Sequence, residues 1–258
     1  MDISNGYRWN VPVVTYGFDQ SFLNFFGSNG VAAVESAIQI LNDLPPASQM
    51  VLTKYPFYTQ AQNYSAAAQS LYDLKSQTLS LLLEQMGLAA PTRNVFVLKQ
   101  WTPEFIDQNY EMNWADWAIP DYIVERNFDP QTLSATPYVN QSLYTGDVLN
   151  GPTINFMDII LVDPLQNSYN AVADGNLNAG VFYTGLTYDD VGGLAYLLST
   201  NNVNYETLLS GVTGVGANAN SFVNGAWRPG VDKMTFIPQP VNSQSGAFLP
   251  TTNYFTDS

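Results

Sequence analysis

The stretch YSAAAQSLYDLKSQTLSLLLEQMGL, residues 64–88, predicts a long helix and does more than any other segment to decide the fold class. One stripe of side chains recurs along it at helical spacing, made of Leu71, Leu74, Thr78, Leu81 and Leu88. Gly87 lies where a glycine commonly ends a helix. The opposite face carries few charges, so we expect this helix to be buried on more than one side.

A strand and another long helix are predicted before this stretch. Residues 7–18, which include RWNVPVVTYGF, alternate apolar and polar side chains and are rich in β-branched and aromatic types, which favours a strand. Residues 28–30, Ser-Asn-Gly, form a helix-start signal. Apolar side chains then recur at helical spacing over residues 31–41, until the prolines at 45 and 46 end the pattern.

After residue 95 the pattern changes to short extended segments separated by turn residues. The run DIILV, residues 158–162, predicts a buried strand, and KMTFIPQPV, residues 233–241, predicts another. Thr187 is expected to cap a short helix over residues 192–198, with Asp190 as its partner three positions later. We therefore expect an α+β fold, with two long helices packed on a mixed sheet and a loop-rich C-terminal half.

A glycine- and asparagine-rich segment suggests the domain organisation. Residues 211–221, GVTGVGANANS, show no apolar periodicity and predict a linker. We expect a core domain over residues 1–208, this linker over residues 209–221 and a C-terminal extension over residues 222–258.

Composition limits the classes of partner. Apolar residues make up 46% of the chain, which is enough for a packed core, whereas charged residues make up only 12%, about half the usual share. The net charge is -14, with 8 Lys and Arg against 22 Asp and Glu. Nucleic acid and anionic membranes are therefore poor partners, because phosphate neutralisation needs clustered basic side chains. No apolar run is long enough to predict insertion into a membrane.

The chain of 258 residues contains no histidine and no cysteine. Histidine is the usual general base and zinc ligand, and cysteine is the usual thiol nucleophile, so most hydrolase, redox and zinc mechanisms lose a required part. Carboxylate acid-base chemistry, lysine or tyrosine chemistry, oxygen-ligand calcium sites and binding without chemistry remain. These absences favour a protein that is not an enzyme but leave the question open. No cofactor is expected to be required, calcium is a possible ligand, and no catalytic residue is assigned.

Either the chain is cytosolic or its numbering starts after a removed leader. The second is favoured, so the expected location is extracellular or the cell surface, after removal of a leader not present in this chain. Its first residues have neither the basic segment nor the apolar segment of a signal peptide. Low charge with abundant Asn, Tyr and Thr is nevertheless typical of exported surface and assembly proteins.

Three segments, in order along the chain, carry a resemblance to a known family. They are the strand RWNVPVVTYGF with the helix GVAAVESAIQILNDLP, then SLLLEQMGLAAP, residues 80–91, and then LTYDDVGGLAYLL, residues 186–198. In this order they resemble the entry of the catalytic domain of matrixin-type zinc proteases, the active-site helix of that family with its exit, and its closing helix. The YRWN, DLKS and DDVGG segments also resemble secreted bacterial proteins of unknown activity. The resemblance covers roughly residues 7–200 with gaps, and it implies a zincin-like core.

The zinc motif of that family, HExxHxxGxxH, keeps only its glycine here, as Gly87. Alignment on this glycine places Ser80, Glu84 and Ala90 at the three histidine positions, and Leu81 at the position of the general-base glutamate. These side chains cannot hold zinc. The resemblance therefore implies a degenerate zincin that lacks zinc chemistry, with a peptide-binding pseudoprotease as one possible role.

An aromatic and acidic stretch over residues 101–122 is a candidate glycan site. Aromatic faces stack on sugar rings, while carboxylates accept hydrogen bonds from hydroxyl groups or act as acid and nucleophile. The candidate ligand-binding residues are Trp101, Tyr110, Trp114, Asp116, Trp117 and Asp121. Packing of the same rings in a core or a subunit contact explains the pattern equally well, so a glycan-binding or glycoside-cleaving domain is an alternative function.

Calcium is a second possible ligand. Asp163, Asp174, Asp189 and Asp190 lie among asparagines and glycines, and oxygen ligands on loops suit this ion. The same residue types make turns without any metal, by bonding their own backbone.

The leading functional prediction is an extracellular structural protein, such as a subunit of a surface layer, sheath or filament. Abundant Tyr, Phe and Asn supply interface anchors at small desolvation cost. The expected partners are further copies of the chain or neighbouring surface proteins. The high negative charge opposes self-association unless calcium screens the carboxylates.

Overall fold

The computed structural model has an α+β fold and describes most of the chain. The residues that it describes are 8–88, 97–102, 121–125, 127–143, 145–151, 154–161, 171–175, 177–214, 216–218, 221–242 and 247–250. The chain divides into two compact units. Residues 51–193 belong to the first unit, and residues 8–50 and 194–258 belong to the second. The sequence-based boundaries at residues 208 and 221 stay a prediction.

The predicted long helix over residues 64–88 is two helices, which corrects the sequence-based prediction. Helix α2 spans Tyr64–Ala68 and helix α3 spans Leu74–Met86. The break follows from Asp73, whose carboxylate accepts hydrogen bonds from the N–H and the Oγ of Ser76 at 2.8 and 2.6 Å and so caps a new helix. Gly87 ends α3 in the left-handed conformation, with φ 112°, as predicted.

The predicted apolar stripe is wrong in part: Leu88 is buried as expected, but α3 buries a different face. Leu71 and Leu81 are more than half exposed, while the buried residues of α3 are Ser76, Leu79, Ser80, Leu83 and Met86. Two serines lie on this buried face, Ser76 and Ser80. Ser76 is hydrogen-bonded there, because its Oγ accepts the N–H of Tyr183 at 2.8 Å. Apolar periodicity therefore misses this face.

The described sheets of the first unit are antiparallel. Strand β2 (Gln60–Gln62) pairs with β11 (Val181–Tyr183). A four-stranded sheet is formed by β3 (Val97–Thr102), β4 (Asp121–Glu125), β9 (Thr145–Gly151) and β10 (Ile154–Leu161). Its strand order is β10-β9-β4-β3, and β10 includes most of the predicted DIILV strand.

Two short hairpins and the first residues of a helix, up to Gly193, complete the first unit. The first hairpin is formed by β5 (Asn127–Phe128) and β6 (Ala135–Thr136), and the second by β7 (Tyr138–Val139) and β8 (Ser142–Leu143). Helix α4 spans Tyr188–Leu198, so it begins four residues before the predicted start at Gly192.

In the second unit, β1 (Val13–Tyr16) pairs in parallel with β14 (Thr235–Pro238). Among the described strands, the parallel and antiparallel pairings lie in separate sheets, whereas the sequence predicted one mixed sheet.

Helix α1 spans Gln20–Asn42, so it starts well before the predicted signal at residues 28–30. Its first part forms because Asp19 caps it and because Phe22 and Phe26 stack one turn apart, with ring centroids 4.9 Å apart. A non-helical residue, Gly27, interrupts α1 immediately before the predicted start.

Candidate functional sites

The N-terminus of α4 is built around the buried carboxylate of Asp190. Its two oxygens accept the backbone N–H groups of Val172, Ala173 and Thr187, each at 3.0 Å, and Oδ2 also accepts the Thr187 hydroxyl at 2.5 Å. The predicted capping pair is therefore present. Burial raises the pKa of Asp190, although these hydrogen bonds act in the opposite direction.

The neighbouring Asp189 ties the hairpin β7–β8 to α4. Its Oδ2 accepts Nδ2 of Asn127 at 2.6 Å and the N–H of Asn140 at 3.1 Å, and its own N–H donates to Oδ1 of Asn140 at 3.0 Å. Asn140 and Gln141 both have positive φ, as a two-residue hairpin turn of type I′ requires. The turn therefore has a fixed position against the start of the helix.

A pocket of about 300 Å³ lies beside this start of α4. The residues that characterise it are three aromatic rings and two carboxylates: Phe57, Tyr138, Tyr188, Asp129 and Asp189. The rings of Phe57 and Tyr188 are in contact, with centroids 5.0 Å apart and planes at 46°. The pocket thus combines apolar walls with oxygen acceptors.

Asp129 is held in the turn between β5 and β6. Its Oδ1 accepts the N–H groups of Gln131 and Thr132 at 3.0 and 2.7 Å and the hydroxyl of Thr132 at 3.0 Å. Burial alone would raise the pKa of Asp129, but these hydrogen bonds outweigh it and hold the pKa below the usual range. Asp129 is therefore a fixed anionic group in the pocket.

The structure places three of the four predicted calcium ligands. Asp174, Asp189 and Asp190 are buried, and Asp163 lies outside the described residues. Within the described ranges, no group of three or more acidic side chains is arranged to hold a metal ion. The carboxylate oxygens of Asp190 already accept the hydrogen bonds described above, so no cation is needed to compensate the burial of this group. Calcium binding stays a prediction.

The predicted glycan site falls mostly outside the part of the chain that the structure describes, including Tyr110, Trp114, Asp116 and Trp117. Trp101 belongs to β3 and Asp121 to β4, and these adjacent strands pair Thr102 with Asp121. The two positions are thus brought together in one sheet, and glycan binding stays a prediction.

A two-stranded ribbon in the second unit, residues 203–214 and 221–229, exposes large apolar side chains. Strand β12 (Val203–Thr207) pairs with β13 (Gly225–Pro229), and hydrogen bonds continue the pairing to Gly214 and Ser221. The predicted linker, residues 209–221, therefore includes the far end of the ribbon. The most exposed of these side chains are Leu209 at 84%, Phe222 at 82%, Trp227 at 68% and Tyr205 at 58%.

The two faces of the ribbon differ in chemistry. Tyr205 lies opposite Trp227 on the exposed face, with ring centroids 5.2 Å apart. On the other face, Nε of Arg228 contacts Oε2 of Glu206 at 2.6 Å. Arg8 holds the base of the ribbon by donating to the carbonyl of Arg228 at 2.6 Å.

Sequence reasoning missed both the pocket and the ribbon. The pocket depends on contacts between residues far apart in sequence, such as Asn140 and Asp189. The ribbon carried a local signal: residues 203–207, VNYET, alternate β-branched or aromatic side chains with polar ones, which is typical of a strand. The glycine- and asparagine-rich residues that follow have the composition of a linker, so the pairing of the two strands into a hairpin was not predicted.

Comparisons of the chain with protein-family models, with curated proteins and with solved structures find no match. Among the helices that the structure describes, none combines the length and apolar character that a membrane crossing requires.

Proposed function

We propose that the protein is a structural subunit that associates with further copies of itself through the ribbon. The observation that carries this proposal is the exposure of Tyr205, Leu209, Phe222 and Trp227 along one two-stranded element. Apolar surface of this kind marks interaction sites, and Tyr and Trp are enriched among the residues that dominate interface energy.

Charge favours a second copy of the chain as the partner. The ribbon contains only two charged residues, Glu206 and Arg228, and they pair with each other. The chain as a whole carries -14, so two copies repel each other over most of their surface. The ribbon is locally neutral, and two ribbons can therefore approach at little electrostatic cost.

The unpaired strand edges of the ribbon also favour a second copy of the chain as the partner. No described strand pairs with the outer edge of β12 or of β13. Unpaired strand edges are templates for pairing with another chain, and a hairpin of two strands is only marginally stable by itself in water. Association of two ribbons supplies both hydrogen-bond partners and burial for the exposed rings.

The test is light scattering and electron microscopy of the purified full chain and of the double variant Tyr205→Ser/Trp227→Ser. We expect assemblies from the unaltered protein and monomers from the variant. The matched control is Phe25→Ser, because Phe25 is 83% exposed but lies on α1. A monomeric unaltered protein, or a ribbon variant that assembles normally, would contradict the proposal.

We further propose that this subunit acts outside the cell or at its surface, on a degenerate zincin-like scaffold. The position of Gly87 at the end of α3 supports the scaffold, because the family motif has its glycine after the active-site helix. Glu84 lies in α3, and Ser80 is buried on it, at two of the positions that hold histidine in the family. Elemental analysis of purified protein is expected to find no stoichiometric zinc, and its presence would contradict a degenerate site.

A further inference from the structure

We infer that the pocket beside the start of α4 binds a small organic ammonium ion between the rings of Phe57, Tyr138 and Tyr188 and the carboxylates of Asp129 and Asp189. The pocket belongs to the first unit and the ribbon to the second, so this inference does not rest on the proposed function. A volume of about 300 Å³ suits a small ligand.

The aromatic walls supply the first part of the recognition. Tyr138 is 48% exposed and Phe57 is 37% exposed, so both rings remain accessible to a ligand. Tyr188 contacts Phe57, which fixes two of the three rings against each other. An ammonium group close to such ring faces is attracted by their negative charge distribution.

The carboxylates supply the second part. Asp189 is only 3% exposed and is fixed by Asn127 and Asn140, while Asp129 is fixed by its own turn. The described residues that line the pocket include no Lys or Arg. Burial raises the pKa of Tyr188, a hydrogen bond with Gln131 lowers it, and the charges of Asp129 and Asp189 raise it. Both carboxylates therefore lie close enough to act on the same ring, and their charges favour a cation in the pocket.

The pocket is rigid enough to be preformed. The left-handed turn at Asn140 and Gln141 is bound to Asp189, as described above. Pro130, another lining residue, packs against Gly192 so closely that a Cβ on Gly192 would overlap its ring. A preformed site avoids the entropic cost of ordering these loops when a ligand binds.

The ligand class follows from this arrangement. Two fixed carboxylates with no described basic neighbour in the lining repel an anion, and they favour a cation that keeps its own apolar surface. Quaternary ammonium groups combine a positive charge with an apolar exterior. A neutral sugar would use the rings but not the charge, and it is tested as the competing outcome.

The experiment is calorimetric titration of the full chain with choline and with its uncharged isostere 3,3-dimethylbutan-1-ol. Choline is expected to bind, and the isostere is expected to bind at least about fivefold more weakly, since the cation-π attraction is lost. Equal binding of the two compounds, or no binding of choline to folded protein, would overturn the inference. Binding of glucose or N-acetylglucosamine without binding of choline would also overturn it, in favour of a glycan site.

Two variants locate the binding in the pocket. Tyr138→Ala removes an exposed ring and is expected to weaken choline binding about fivefold to thirtyfold. Asp129→Asn keeps the oxygen that accepts the turn's hydrogen bonds but removes the charge, and it should weaken choline more than the isostere. Tyr72→Ala is the control, because Tyr72 is 63% exposed and is not among the described lining residues. Circular dichroism checks folding, and loss of binding in the control alone would overturn the assignment.

Discussion

The rings of Tyr205 and Trp227 lie opposite each other across β12 and β13, with centroids 5.2 Å apart and planes at 63°. Both rings are more than half exposed, although an aromatic pair of this kind usually contributes most when it is buried. The pair is therefore ordered by the ribbon but still leaves much of its apolar surface in water. We take this surface as the centre of the proposed contact between two copies.

Trp227→Ala is expected to weaken self-association by about 2 kcal/mol or more, because central aromatic residues dominate interface energy. Trp227→Phe should keep a larger part of the affinity, since it retains a ring opposite Tyr205. Sedimentation velocity over a concentration series measures the change. An unchanged dissociation constant for Trp227→Ala would remove this residue from the contact.

Gly225→Ala is expected to weaken association without unfolding the ribbon. A Cβ at position 225 would overlap the ring of Tyr205, so the ring must turn away from its present position. In a Tyr205→Ser background the same change should have little further effect, because no ring then has to move. Additive effects of the two substitutions in sedimentation experiments would contradict this coupling.

Asp190→Ala is expected to destabilise the first unit by about 3 kcal/mol, because it leaves buried N–H groups without an acceptor. Asp190→Asn should cost less, about 1 to 2 kcal/mol, since one oxygen remains to accept hydrogen bonds. Urea denaturation followed by circular dichroism gives both values. The control is Asp43→Ala, at an exposed residue that follows α1 in the second unit. Equal effects of the two alanine variants would contradict the structural role of Asp190.

The pH dependence of stability should separate Asp190 from Asp129. The pKa of Asp190 is raised in the folded state, so between the unfolded value near 3.8 and the folded value the folded state holds a proton that the unfolded state lacks. Its contribution is therefore present at low pH and is lost as pH rises through the folded pKa. The pKa of Asp129 is lowered, so its contribution is present above the unfolded value and is lost as pH falls.

Thermal unfolding over a pH series tests these signs. In the unaltered protein, stability should fall as pH rises through the folded pKa of Asp190, and Asp190→Asn should abolish this fall. Stability should also fall on acidification, and Asp129→Asn should abolish part of that second fall. If stability changes with pH in the same way in both variants and in the unaltered protein, neither carboxyl group contributes to the pH dependence as described.

Calcium remains to be tested as a bridge between carboxylates. If calcium screens or bridges the negative charge, a chelator should reduce the size of assemblies, and added calcium should restore it. Light scattering with and without EDTA measures this directly. An unchanged size distribution would show that calcium does not bridge or screen the carboxylates. The neutral charge of the ribbon would then be the reason that two copies can approach each other.

Local signals predicted several parts of the fold. Thr187 and Asp190 are three residues apart, so their capping interaction depends only on nearby sequence, and Gly87 ends α3 for an equally local reason. The face of α3 could not be predicted from apolar spacing, because it buries two serines, Ser76 and Ser80, and hydrogen bonds hold Ser76 there. Long-range contacts were also beyond the sequence: the hydrogen bonds between Asn140 and Asp189 join positions 49 residues apart.

The pairing of strands in the ribbon could not be predicted from local sequence either. Its strands are separated by glycine- and asparagine-rich residues, whose composition is typical of both linkers and hairpin ends. Only the register, with Tyr205 opposite Trp227, distinguishes a ribbon from two independent extended segments.

Cross-linking through engineered cysteines tests the contact between copies most directly, since the chain has no cysteine of its own. Thr207→Cys places a thiol at an exposed position on the same side of β12 as Tyr205, and Ser36→Cys places one at an exposed position on α1. With a short bis-maleimide, the account predicts dimers from Thr207→Cys that disappear when Trp227→Ser is added, and few dimers from Ser36→Cys. Equal cross-linking at both positions, or none at position 207, would contradict association through the ribbon.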